Sequence, residues 1–155
     1  MFRTVAVVVF GLCLAYGQQD QPNAKSEHQA HVMGFSQEKT SHHFELNQEG
    51  GVIEVRTNDI KDTESRDQVR GHFKHIVQMF SAGNFNDPML VHEQEVPGTA
   101  AMSRLKRDIH WGFGEIPRGA RISIVADNKE AVDAVHEFLR FQIADHHTGD
   151  CTAVR

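Results

Sequence analysis

The stretch "RGHFKHIVQMF", Arg70 to Phe80, puts two histidines and a methionine at positions that could hold a metal ion. His72, His75 and Met79 are spaced i, i+3 and i+7, so an α-helix stacks them along one flank. Two imidazoles placed this way can approach one ion, and a thioether one turn further on adds a soft ligand. Phe73, Ile76 and Phe80, with Val69 and Val77, make an apolar stripe beside that flank. The histidines therefore line the edge of a core-facing surface. The competing reading is an amphipathic boundary whose half-buried rings bind nothing.

Two histidines alone would make an open, weak site, so a third ligand has to come from elsewhere in the chain. His92, in "PMLVHEQE", follows the same helix after a short loop, where functional residues are common. His42 and His43 are adjacent on a strand and point to opposite faces. His42 shares its face with Phe44 and Leu46, which favours it as the inward one. His136 borders the apolar stripe Val132, Val135, Leu139 and Ile143, and His146 falls inside it. A histidine there needs a hydrogen-bond partner or a ligand. The expected ligand set is His72, His75, Met79, His92, His42 and His136. Copper is the first-choice metal because imidazole and thioether together suit it, and zinc is the second. His110 opens a strand, while His28 and His31 lie outside the expected domain. Met33, Met79, Met89 and Met102 each also read as ordinary packing residues.

The elements that would position these groups follow from the pattern. "HHFELNQEGGVIEV" alternates around a turn cluster and reads as a hairpin. A helix capped by Asp62 runs from there to about Ala82 and stops at Gly83-Asn84. "NDPMLVHEQEVPG" reads as a loop with a short extended piece from Met89 to His92, and Pro97-Gly98 opens a short helix. "HWGFGEIPRGARISIVAD" reads as a second hairpin turning at Pro117-Arg118-Gly119. The last helix starts at Asp127 or Asn128 and is ended by Gly149. This order predicts an α+β fold: one antiparallel sheet of two hairpins, two long helices on one face, and a degenerate ββα repeat. Phe73, Ile76, Phe80, Val135, Leu139 and Ile143 should pack against Val55, Ile122 and Ile124.

The first residues bear on compartment. "MFRTVAVVVFGLCLAYG" carries Arg3, an apolar run from Val5 to Ala15, and small residues at Ala15 and Gly17, the pattern of a cleaved export signal over 1–17. The apolar run is too short to span a bilayer, so the mature chain is not expected to be an integral membrane protein. A polar linker over 18–32, a single domain over 33–150 and a tail over 151–155 follow. Cleavage removes one of 16 Lys+Arg and none of 21 Asp+Glu, leaving a net charge near −6 with all 11 His retained. That acidity argues against nucleic acid as a partner. It also removes Cys13, so Cys151 stands alone, as an inert thiol on a frayed tail or as the link of a homodimer. Neither H-E-x-x-H, G-x-S-x-G, a P-loop, a dinucleotide turn nor a c-type haem motif is present.

The segments "SHHFELNQEGGVIEV", "ESRDQVRGHFKHIVQMF" and "HEFLRFQIADHHTGD" resemble a group of small exported bacterial proteins of uncharacterised function. The resemblance covers most of 33–150 and implies no activity, cofactor or residue role. Three functions fit these features. The first is a periplasmic or secreted metal-binding protein that buffers, delivers or senses copper or zinc. The second is a small metal-assisted hydrolase or isomerase with Glu93, Asp87 or Glu137 as base. The third is a non-catalytic interaction module whose histidines respond to pH.

Overall fold

The computed structural model describes residues 31–155. The expected signal peptide, and all but the last two residues of the expected linker, lie outside them. His31 to Met33 are helical, and Met33 and Phe35 are buried. A 3-10 turn, Gln37–Lys39, leads into β1 (Thr40–Asn47) and β2 (Gly50–Thr57). Helices α1 (Thr63–Ser81), α2 (Asn86–His92) and α3 (Thr99–Arg104) follow, then β3 (Ile109–Ile116), β4 (Gly119–Ala126) and α4 (Lys129–Asp145). The fold is α+β, with one antiparallel sheet in the order β1-β2-β4-β3.

The two hairpins are counterparts. Each has two strands of eight residues, and the matching strands start at Thr40 and Ile109 and at Gly50 and Gly119, an offset of 69 residues in both cases. At the sheet centre Ile53 pairs with Ile122, its own counterpart at the same offset, so the β2–β4 register places an approximate two-fold between these residues. The glycines obey the same relation. A Cβ on Gly50 would overlap the carbonyl of Ile124, and one on Gly119 the carbonyl of Val55. Backbones meet there without room for a side chain.

The long helices are exchanged across this two-fold. α1 follows the first hairpin but packs chiefly on β3 and β4, while α4 follows the second and packs chiefly on β1 and β2. Both are capped locally. The Ser65 N–H donates to Asp62 Oδ1 at 2.9 Å and the Ala131 N–H to Asn128 Oδ1 at 3.0 Å, which satisfies N-terminal donors the helices leave free. Val55, Ile122, Ile124, Phe73, Ile76, Phe80, Val135, Leu139 and Ile143 are all buried between helices and sheet. On the opposite face Glu54, ion-paired to Arg56, lies among charged groups that meet solvent.

Two local expectations need correction. The segment read as a loop with an extended piece, Met89 to His92, belongs to α2. Pro88 sits in that helix's first turn, where its missing N–H leaves no hydrogen bond unmade. The last helix closes at Asp145, before Gly149. His147 takes the left-handed conformation at φ 51° and turns the chain first.

The C-terminal residues run along the free edge of β1. Asp150 Oδ2 accepts the Phe44 N–H at 2.9 Å, and the Arg155 N–H donates to the Leu46 carbonyl at 3.0 Å. The tail thus covers backbone groups that an edge strand otherwise exposes. Cys151, within it, is exposed. Among the described residues no helix is long and apolar enough to cross a membrane.

Candidate functional site

Four histidines from four elements converge on one cavity of about 80 Å³, which they line with Met33, Phe35, Phe44, Asp87 and Gln142. His42 comes from β1, His72 from α1, His92 from the end of α2 and His146 from the C-cap of α4. The helix exchange makes this meeting: packing α4 on β1 sets His146 over His42. Their rings stack with centroids 4.7 Å apart and planes 13° from parallel. The His146 ring also stands across that of His92, at 5.2 Å and 83°.

Phe35 organises the other side. Its ring lies along His42 at 5.9 Å and meets the edge of His72 at 5.5 Å. Phe35 thus packs against both histidines, each of which is half-buried. Phe44 continues the apolar lining below His42, two residues along the same strand face.

Burial sets the protonation of the two rings for which a shift is resolved. His42 is lowered from 6.5 to about 3, first because burial penalises the charged form, then because His146, His72, His43 and His92 add positive potential. His72 is lowered to about 4, again chiefly by burial; Asp87 opposes the shift and His75 adds to it. Both are neutral imidazoles at physiological pH, the form that ligates metal.

His92 is held differently. It is 5% exposed, with Nδ1 at 2.6 Å from Asp145 Oδ2 and Nε2 at 3.2 Å from Gln142 Oε1. A carboxylate on Nδ1 fixes the ring's orientation and directs its chemistry to Nε2. The Gln142 amide nitrogen is buried with no hydrogen-bond partner among the described residues. Turning that amide over would let it donate to Nε2, since the two amide atoms are assigned by their network.

The structure separates the six expected ligands into two groups. His42, His72 and His92 line the cavity, whereas His75, Met79 and His136 do not. His75 is exposed, with Nε2 at 3.5 Å from Asp87 Oδ2. The Met79 sulfur takes a long contact from the Asn84 amide at 3.8 Å and packs against the core. His136 is buried, and its Nε2 donates to the carbonyls of Asn47 at 2.9 Å and Gly50 at 3.0 Å. It pins the β1–β2 turn to α4. His43 and His110 pair with Asp150 and Asp127 on the surface. Of the expected bases, Asp87 lines the cavity, while Glu93 and Glu137 are exposed.

The sequence reading left His146, Gln142 and Phe35 out of the site. His146 carried a signal, a histidine inside an apolar stripe, but not the identity of the strand it faces. Among the described residues, no three His, Cys, Asp or Glu side chains are already disposed to share one ion. The stacked rings of His42 and His146 aim their nitrogens along parallel planes, so joint ligation requires one ring to rotate about its side-chain torsions.

The chain matches no protein-family model, no curated protein and no solved structure. Its chemistry is therefore read from its own residues.

Proposed function

We propose that this protein binds a transition metal ion outside the cytoplasm, with copper preferred and zinc second, and buffers, delivers or senses it. His42, His146 and His72 are the proposed ligands, with His92 beside them positioned by Asp145. The carrying observation is the convergence of four imidazoles from four elements on one apolar-walled cavity. Burial lowers His42 and His72, and His42 also feels the positive potential its histidine neighbours carry when protonated, so both rings are held in the neutral form that ligates metal. The export pattern of residues 1–17 supports the location.

Titration of the mature chain with copper and with zinc tests this reading, set beside a His42→Ala, His146→Ala double variant. The wild type is expected to bind more tightly than micromolar and the variant at least about tenfold more weakly, roughly 1.4 kcal/mol. Equal affinities would remove the cavity from the account.

A second reading rests on the 2.6 Å contact between Asp145 and His92. A buried histidine oriented by a carboxylate at a cavity wall is also how a general base is built. Turnover with metal bound, lost in His92→Gln, would favour an enzyme over a carrier.

A further inference from the structure

We propose that the free edge of β1 is a self-association site, where a second copy of this chain pairs its own β1, and that the C-terminal tail closes that site in cis. The proposal is independent of what the cavity binds.

β1 ends the sheet in the order β1-β2-β4-β3, so among the described residues no strand lies along its other side. The Phe44 N–H and the Leu46 carbonyl point to that side, where Asp150 Oδ2 and the Arg155 N–H meet them at 2.9 and 3.0 Å. Alternation along the strand turns the backbone groups of His42 the same way. The tail itself is not a strand. It meets one group with a side chain and the other with a single N–H, so the edge is shielded without being built into a ladder.

Charge shows what the tail stands in for. On the solvent face of β1, His43 and Glu45 are both exposed and two residues apart. The tail sets a carboxylate against the first and a guanidinium against the second. Asp150 Oδ1 lies 3.4 Å from His43 Nδ1, and Arg155 Nη1 lies 4.0 Å from Glu45 Oε2. A second β1, antiparallel and with Phe44 opposite its own copy, offers the same pattern. The second copy's Glu45 then falls opposite His43, and its His43 opposite Glu45, while His42 meets Leu46 on the inner face. Cross-strand pairs of this kind stabilise a register and select it over its neighbours. The contact is self-complementary, as a two-fold dimer requires. The Phe44 N–H, held by Asp150 in the single chain, passes to the Phe44 carbonyl of the copy.

The tail is also built to leave. Cys151 to Arg155 are exposed, and the remaining anchor, Arg140 Nε donating to the Thr152 carbonyl at 3.2 Å, is exposed as well. Polar contacts made in water hold a segment weakly. The link from α4 runs through Gly149, at φ 74° with open space around it.

The experiment is sedimentation equilibrium of the full mature chain under reductant, so that no disulfide through Cys151 contributes. Wild type is compared with Asp150→Ala, each checked for fold by circular dichroism. Asp150→Ala is expected to dimerise at least about tenfold more tightly than wild type, roughly 1.4 kcal/mol. Adding His43→Glu sets like charges opposite each other twice and should weaken that dimer about fivefold or more; adding Glu45→Lys as well should restore it. Asp150→Ala associating no more tightly than wild type leaves the edge to an extended segment of another protein and overturns the proposal. A dimer indifferent to the charge reversals pairs elsewhere and overturns it equally. If Asp150→Ala does not fold, wild type decides: amide exchange at His42 and Leu46 should slow as protein concentration rises, and no slowing up to about millimolar is the contrary result.

Discussion

The imidazoles of His42 and His146 lie face to face, 4.7 Å between centroids, one at the edge of the sheet and the other at the end of the last helix. Two imidazolium ions would not hold that arrangement, because like charges so close and so sheltered repel strongly. The stack therefore ties packing to protonation, and protonation to what the cavity can accept.

Acid stability should report that link. His42 and His72 are lowered in the folded state, from 6.5 to about 3 and about 4. The unfolded chain therefore binds more protons between those values and about 6.5. Stability is full above 6.5 and is lost as pH falls, by up to about 1.4 kcal/mol per pH unit for each histidine. Urea midpoints at pH 7, 6 and 5 should fall accordingly, and His42→Phe should flatten the slope. An unchanged slope in that variant would mean His42 is not buried in its neutral form.

His136 should behave as a structural residue. It donates to two turn carbonyls, Asn47 and Gly50. His136→Leu takes the donor from both carbonyls, that of Gly50 being buried, and should cost about 1–3 kcal/mol. Its metal affinity should match wild type. A stable variant with lost binding would return His136 to the ligand set.

The core prediction concerns faces. Phe73 and Leu139, on the two exchanged helices, are 4% and 0% exposed. Phe73→Ala and Leu139→Ala should each cost about 2–5 kcal/mol in chemical denaturation. Losses under about 0.5 kcal/mol, the range of surface substitutions, would contradict the packing.

Export is checked by mass. Intact mass spectrometry of the protein from its native location should give Gln18 as the first residue, after cleavage following Gly17. A mass that retains residues 1–17 would contradict export by a cleaved signal.

Local pattern and long-range packing differed in how well the sequence revealed them. Both hairpins, the Asp62 and Asn128 caps and the α1 stripe follow from period and capping chemistry, which act within a few residues. Alternation with Phe44 and Leu46 favours His42 over His43 as the inward residue of β1 without deciding between them, and the packing of α4 on β1 places His42 at the cavity. α2 was missed because Pro88 and its polar neighbours look like a loop, and a helix of one to two turns shows little periodicity. The site was legible only in part. His72 and His75 share a flank on a helical wheel, yet α2 meets that flank and takes His75 to Asp87 while leaving His72 at the cavity. His146 became a neighbour of His42 only through the exchange of helices across the Ile53–Ile122 two-fold, which no local spacing records.

The central claim is that a metal ion enters the cavity between β1 and the helices. Long-range proton–nitrogen spectra of the imidazole rings, recorded as Cu(I) or Zn(II) is added to the mature chain, test it residue by residue. The account predicts large nitrogen shifts at His42, His72 and His146 at one equivalent, with His75, His110 and His136 unmoved. Shifts confined to the exposed rings, or none below millimolar metal, would contradict it.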